Sequence, residues 1–325
     1  GQGNYSWTDY NGDSIPQLNE FEPAVFQDEA DYIKVITPTN QYVRDFANDF
    51  SLNISITPSA KWFDKTGFKK ILSKFQEVTT FSNSRKTLNN NFNSRFNPFS
   101  ENLNDSMLIN ATTLSSSFIY FNRTNVKWGM DAGITTATSK TLLTSGFDTK
   151  FTKAESLRLR LNLNRSITFI GRYQFQQKIN ASNFLSNQQY NIYQNSINPQ
   201  FVLLGKKHSR TTLDYTLTSS KNNWGDIKET SVMNNGSLEW KYSLPAKNSF
   251  TTKFTMAYVN YSGNNNTPVQ FAMLNGLKPG LNSLWNITWE KQINNLIQLT
   301  FSYDGRKTGE NKIIHTGRAQ LTALF

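Results

Sequence analysis

The sequence predicts an all-β fold, a transmembrane antiparallel β-barrel of the outer-membrane type with about fourteen strands. Three observations predict it. From Phe46 onward apolar and polar residues alternate with period two between short polar breaks. The breaks themselves alternate in length, tight and then long. The sequence closes on IIHTGRAQLTALF, where Ile313, His315, Gly317, Ala319, Leu321, Ala323 and Phe325 share one face and Ile314, Thr316, Arg318, Gln320, Thr322 and Leu324 the other. Small and apolar groups on one side and polar groups with a charge on the other suit a wall between lipid and water.

Composition points the same way. Only 37% of the residues are hydrophobic, and no run approaches the roughly 20 apolar residues of a membrane helix. An aromatic share of 14% suits half-apolar strands flanked by Tyr, Trp and Phe girdles. With no cysteine, disulfide frameworks and thiolate metal sites are excluded. The first residue is Gly and no signal peptide is seen, so a processed chain or a fragment of a longer one is expected. Residues 1–33 hold Asp9, Asp13, Glu20, Glu22, Asp28, Glu29 and Asp31 and no Lys or Arg. Removing those seven from the 23 acids leaves 16 against 34 basic groups, so the overall +11 becomes +18 for the remainder. Two units follow: an acidic periplasmic or plug segment over residues 1–44 and a barrel over 45–325. The basic residues are scattered singly, which argues against nucleic acid as a partner.

The acidic unit contains DYNGDSIPQLNE, residues 9–20. Asp9, Asn11, Asp13 and Glu20 stand at positions 1, 3, 5 and 12 of an EF-hand-like calcium loop; Ile15 at position 7 offers its carbonyl and Gln17 stands at position 9. Ser14 replaces the glycine usual at position 6, and Pro16 removes a backbone donor. A calcium ion of structural role and an Asx-turn without an ion both fit this pattern.

The expected strands run in order from Phe50–Ile56. FKKILSKF at the start of Phe68–Ser84 also reads as a short helix, because Phe68, Ile71, Leu72 and Phe75 recur at helical spacing. Residues 86–106 are Asn-rich and read as a loop. Next come Leu114–Asn122, Val126–Thr136, Thr141–Phe151 and the strand of Leu157, Leu159, Leu161 and Leu163 interleaved with Arg158, Arg160, Asn162 and Asn164. That strand alone also fits a soluble sandwich. Then follow Ile167–Phe175, Gln189–Leu204, Thr211–Thr218, Val232–Leu244, Phe250–Tyr261, Leu284–Ile293, Leu296–Arg306 and the terminal strand, which is expected to pair with Phe50–Ile56. Tight connections at 205–209, 245–248 and 294–295 alternate with longer ones at 178–188, 219–231, 262–280 and 307–312. In outer-membrane barrels the tight turns are periplasmic. An even strand count puts both ends of the barrel on that side.

Arg158, Arg160, Arg172, Lys241, Lys253 and Arg318 fall on the expected lumen face. They line an anion-favouring pore, or they pair across strands with Glu239, Asp214, Glu290 or Asp304. The outward aromatics Trp128, Tyr173, Trp240, Tyr258, Trp285, Trp289 and Tyr303 read as girdle residues or as a protein seam within the membrane. His208 and His315 have no Ser or Asp partner nearby in sequence, and no GxSxG, HExxH or phosphate loop is present, so no enzyme is expected.

The segment from Gly276 to Phe325, GLKPGLNSLWNITWEKQINNLIQLTFSYDGRKTGENKIIHTGRAQLTALF, resembles the carboxyl-terminal barrels of large outer-membrane proteins from Bacteroidota. GQGNYSWTDYNGDSIPQLNEFE and YIKVITPTN, residues 1–22 and 32–40, resemble the junction that precedes them. The resemblance implies a large upstream periplasmic region and a part in envelope machinery of secretion or assembly type. It further implies outer-membrane lipid and other envelope proteins as partners, with Phe325 as the signal read by the barrel-assembly machinery. The function expected is therefore a non-enzymatic membrane anchor in a multi-protein envelope machine; the alternative is a channel or transporter with a basic lumen for anionic or small polar solutes.

Overall fold

The computed structural model describes residues 2–35, 37, 42–97, 99, 106–143, 146–183, 188–205, 208–244, 247–294 and 296–323, without the side chains of residues 94 and 95. Its main body is a single antiparallel sheet in strict sequence order. Before it lie two short strands, β1 (Tyr5–Trp7) and β2 (Phe21–Pro23), paired with each other. The sheet comprises β3 (Phe46–Ile56), β4 (Phe75–Thr87), β5 (Leu108–Phe121), β6 (Trp128–Leu143), β7 (Gly146–Asn162), β8 (Ile167–Ser182) and β9 (Tyr190–Leu204). It continues with β10 (Ser209–Asn222), β11 (Thr230–Leu244), β12 (Asn248–Ser262), β13 (Gly280–Gln292), β14 (Ile297–Thr308) and β15 (Ile314–Ala323). Among the described residues, three short α-helices interrupt the connections: α1 (Phe68–Leu72), α2 (Phe92–Phe96) and α3 (Pro268–Leu274). FKKILSKF is thus helix α1 up to Leu72, and the strand begins at Phe75.

Among the described residues the sheet has thirteen strands, not fourteen. The expected strand Thr141–Phe151 does not exist as such: residues 141–143 end β6, residues 146–151 begin β7, and β7 runs on through the Leu/Arg stretch, with Leu143 and Gly146 paired where the two strands meet. Twelve antiparallel steps make β3 and β15 run in the same direction, so Phe46 and Ala323 lie at opposite ends of the strands and cannot both be periplasmic. The expected pairing of the terminal strand with Phe50–Ile56 is absent among the described residues, and the sheet is not closed. Phe325 lies outside the described residues.

Register gives the sheet two faces. Leu157 pairs with Tyr173, Leu213 with Leu238 and Phe254 with Trp285, all on one apolar face. Arg158 pairs with Arg172 and Lys253 with Glu239 on the polar face. A row of partners that begins at Ile56, the last residue of β3, reaches Leu281, the second residue of β13, after ten pairings. The row therefore climbs one strand length as it crosses the sheet. At roughly 3.3 Å per residue and 4.8 Å between strands, the strands incline by about 40° to the line of their ends.

Asparagine builds three of the tight turns. Asn125 Oδ1 accepts the amides of Lys127 and Trp128, at 2.8 and 3.3 Å. Asn164 Oδ1 takes those of Ser166 and Ile167, at 2.8 and 2.9 Å. Asn294 Oδ1 takes those of Leu296 and Ile297, at 2.9 and 2.8 Å. In each case a short side chain supplies the acceptor that a reversing backbone lacks. These turns share one end of the sheet with 205–208 and 245–247, while 183–189, 223–229, 263–279 and 309–313 share the other. Residues 57–74 and 144–145 break the segregation.

The buried apolar core is small and lies on the polar face at the long-connection end. Thr267 caps α3 by accepting the Gln270 amide at 3.1 Å, Pro268 sits in the first turn, and Asn275 ends the helix at φ 52°. The helix thereby presses Val269, Met273 and Leu274 onto Ile192, Met233 and Val259.

Candidate functional site: an acidic module on the polar face

The acidic segment folds on itself. Tyr32 bridges to Tyr5 beside the β1–β2 ladder. Gly3 donates to Ala30 O at 2.6 Å, and a Cβ at Gly3 would lie 2.3 Å from Tyr32 O, so only glycine permits this approach.

Within that frame the loop of residues 9–20 is tightly organised. Asp9 Oδ1 accepts the Gly12 amide at 2.6 Å and its Oδ2 the Ser14 amide at 2.9 Å. Asp13 Oδ1 accepts the Ile15 amide at 2.7 Å. Asn11 Nδ2 and Gln17 Nε2 both donate to Asp13 Oδ2, at 2.9 and 2.6 Å. Glu20 is fully buried: its Oε2 accepts Trp7 Nε1 at 2.9 Å and the Gln17 amide at 3.2 Å, and its Oε1 the Tyr10 amide at 3.3 Å.

The residues present fit a cation. Carboxylate oxygens of Asp9, Asp13 and Glu20 lie within 4.8 Å of one another and can hold a metal ion. Ser14 adopts φ 60°, the left-handed conformation that glycine supplies at position 6 of a calcium loop. Each carboxylate oxygen has lone pairs beyond those its N–H donors use. The amides of Asn11 and Gln17 give Asp13 the positive partner an ion would supply, and rotating Gln17 by a half turn presents its oxygen instead, whereas Asn11 Oδ1 is held by the Asp13 amide at 3.0 Å.

Beside the loop, the Tyr10 hydroxyl donates to Glu22 Oε1 at 3.3 Å. Burial pushes the Tyr10 hydroxyl well above the usual tyrosine range, and the Glu22 charge adds to the effect. Burial likewise raises the Glu22 carboxyl; the Tyr10 hydrogen bond and Lys150 only partly oppose it.

The module meets the sheet at the long-connection end. Arg306 Nη2 bonds Asp28 Oδ2 and Glu29 Oε1, each at 2.6 Å, and its guanidinium lies 3.9 Å from the Phe26 ring centre. Gln188 Nε2 donates to Asn19 O at 2.6 Å. Sequence reasoning missed this clamp. Its only signal was Arg306 at a polar-face position of the last hairpin, together with the adjacent acids Asp28 and Glu29.

The six basic residues singled out in the sequence share the polar face without converging. Arg158 pairs with Asp131, Nη2 to Oδ1 at 2.7 Å, a partner that only the register reveals. Arg160 donates to the carbonyls of Arg123 and Asn125, at 3.3 and 2.8 Å. Arg172 donates to Asn198 Oδ1 and Gln200 Oε1, at 2.9 and 3.1 Å. Lys241 stands opposite Arg210, Lys253 opposite Glu239 and Arg318 opposite Ser302. Of the other acids named, Asp214 accepts from Asn198 at 2.8 Å and Asp304 from Asn286 at 2.6 Å, while Glu290 pairs in register with Ser249. On the apolar face His315 Nδ1 meets the Tyr303 hydroxyl at 2.8 Å; His208 lies in a turn.

No protein-family model matches the chain, and no curated protein matches it significantly.

Proposed function

We propose that this chain forms part of the wall of an outer-membrane β-barrel and serves as the non-enzymatic anchor of a multi-protein envelope machine of secretion or assembly type. One observation carries the reading: an apolar face spanning β7 to β12 is exposed, including Leu157, Ile197, Leu213, Leu238, Phe254, Met256 and Tyr258. Soluble monomers rarely expose apolar patches beyond a few hundred Å². The inclination of about 40° is the tilt that barrel closure requires. Near the long connections the same face turns polar, with Lys153, Gln177, Ser219 and Asn260. Strands that outrun the lipid band on one side account for this. With the tight turns periplasmic, the acidic module stands on the outer side. The hard all-oxygen donor set of Asp9, Asp13 and Glu20 suits calcium, in a structural role.

A lone anion channel is the weaker reading, because Arg158, Arg160 and Arg172 are engaged by the wall itself and α3 with the acidic module covers part of the polar face. Mild detergent extraction is expected to recover stoichiometric protein partners. Steady anion-selective current from the pure chain in planar bilayers would sink the anchor model.

A further inference from the structure

The acidic module is a separate body laid on the sheet. Among the described residues no backbone hydrogen bond joins it to β3–β15, and its own ladder is internal. Its strongest side-chain attachment is the Arg306 clamp, and that clamp is incomplete. Asp28 and Glu29 both bond the same nitrogen, Nη2, while the buried Nε has no partner. The two-pronged edge of the guanidinium, which binds a carboxylate side-on through Nε and Nη2, is therefore engaged at Nη2 alone. Next to it lies a cavity of about 450 Å³ between Val25–Asp28 and the polar face. Lys253, Arg306 and Arg318 line it against two acids, Asp28 and Asp304. Asp28 belongs to the module, so lifting the module leaves three cations facing Asp304 alone.

We infer that the polar face around Arg306 is a docking site for an acidic peptide segment with a preceding aromatic residue, and that Phe26-Gln27-Asp28-Glu29 occupies it as a tethered, displaceable stand-in. A segment in trans that engages Nε and Nη2 together makes a bidentate pair the tethered segment does not make. Its aromatic residue takes the place of Phe26 over the guanidinium. The inference uses the polar face only and does not rest on the membrane reading of the opposite face.

The test uses the full chain in detergent and a fluorescein-labelled peptide of sequence VFQDEA, residues 25–30. A short tether gives the built-in segment an effective concentration on the order of millimolar, which masks the site in the native chain. Asp28→Asn with Glu29→Gln is expected to tighten peptide binding at least tenfold relative to the native chain, read by fluorescence anisotropy. Adding Arg306→Gln should abolish the gain. Should Arg306→Gln fail to fold, Arg306→Lys replaces it; it keeps the charge, loses the fork, and should lose most of the gain. Equal binding to the native chain and the double variant, or binding that survives removal of the guanidinium, overturns the inference.

Discussion

Glu20 offers the sharpest test of the acidic loop. Its carboxylate takes three donors while fully buried, so Glu20→Gln exchanges one accepting oxygen for an NH₂ group. The less damaging rotamer keeps the oxygen on Trp7 and Gln17 and turns the NH₂ against the Tyr10 amide. One buried donor is then orphaned and two charge-assisted bonds become neutral, a loss of about 2–4 kcal/mol without any metal. Asp13→Asn separates ion binding from folding. The new oxygen still accepts from Ile15, and a half-turn of Gln17 offers an oxygen to its NH₂, while Asn11 Oδ1 stays on the backbone amide of residue 13. Its metal-free stability should therefore fall by only about 1 kcal/mol, the exposed Asn11 bond being the one lost, while its affinity for the ion is lost. A bound ion at a hundredfold excess over its Kd adds about 2.7 kcal/mol, read as a roughly hundredfold rise in amide protection. The assay is hydrogen exchange at the amides of Tyr10, Gly12, Ser14 and Gln17, with calcium and after chelation. If Asp13→Asn keeps the calcium-induced protection, the triad does not bind the ion. If Glu20→Gln leaves Tyr10 and Gln17 as protected as before, the buried carboxylate does not organise the loop.

Other consequences are as direct. Leu238→Arg, on the exposed apolar face, should cost about 2–4 kcal/mol for a chain folded in a bilayer, whereas Ser237→Arg on the polar face should cost much less; urea titrations in lipid vesicles measure both. Gly305→Ala places a Cβ 2.1 Å from Trp285 Cε2; forcing that ring away should cost about 1–3 kcal/mol, seen as a lower melting temperature and a shifted tryptophan emission. Glu22 and Tyr10 both have raised folded-state values, so each contributes stability that is complete below its ordinary range and lost as pH rises. Protection of the β1–β2 ladder should therefore fall as pH climbs above the ordinary carboxylate range, and fall again above the ordinary tyrosine range. Glu22→Gln should remove the first loss.

Most of the strand pattern was legible because alternation survives in sequence wherever one face is apolar. Leu157 to Leu161 against Arg158 and Arg160 is such a case, and the structure keeps both faces as read. The strand count failed where the signal was weakest. Beyond Ser156 toward its start, β7 carries Lys153 and Glu155 on the otherwise apolar face, joined at 2.7 Å, so its first half looked like a separate element. Alternation also says nothing about which neighbour stands opposite. The Arg158–Asp131 pair and the Arg306 clamp needed the register and the third dimension. The acidic cluster was legible for a different reason: Asp9, Asp13 and Glu20 lie close together in sequence, and Ser14 between them accepts φ 60° despite its side chain.

Thirteen strands set the terms on which the sheet can be completed. β3 and β15 present edges of 11 and 10 residues, and they run in the same direction. Neither contains proline, and each carries a single Asp or Arg, so the devices that blunt edges in soluble sheets are scarce. On the proposed reading these edges lie in hydrocarbon, where each unpaired amide or carbonyl costs several kcal/mol. Joining β15 directly to β3 would create one parallel seam beside twelve antiparallel ones. One further strand, or any odd number, would keep every pair antiparallel and restore the even count of bacterial barrels. A second copy in the same membrane orientation cannot supply this, because its edges run the same way as the edges they would meet. The parity of the sheet thus separates a self-closed wall from one completed by strands of different sequence, and only the second keeps the pairing rule that the other twelve contacts obey.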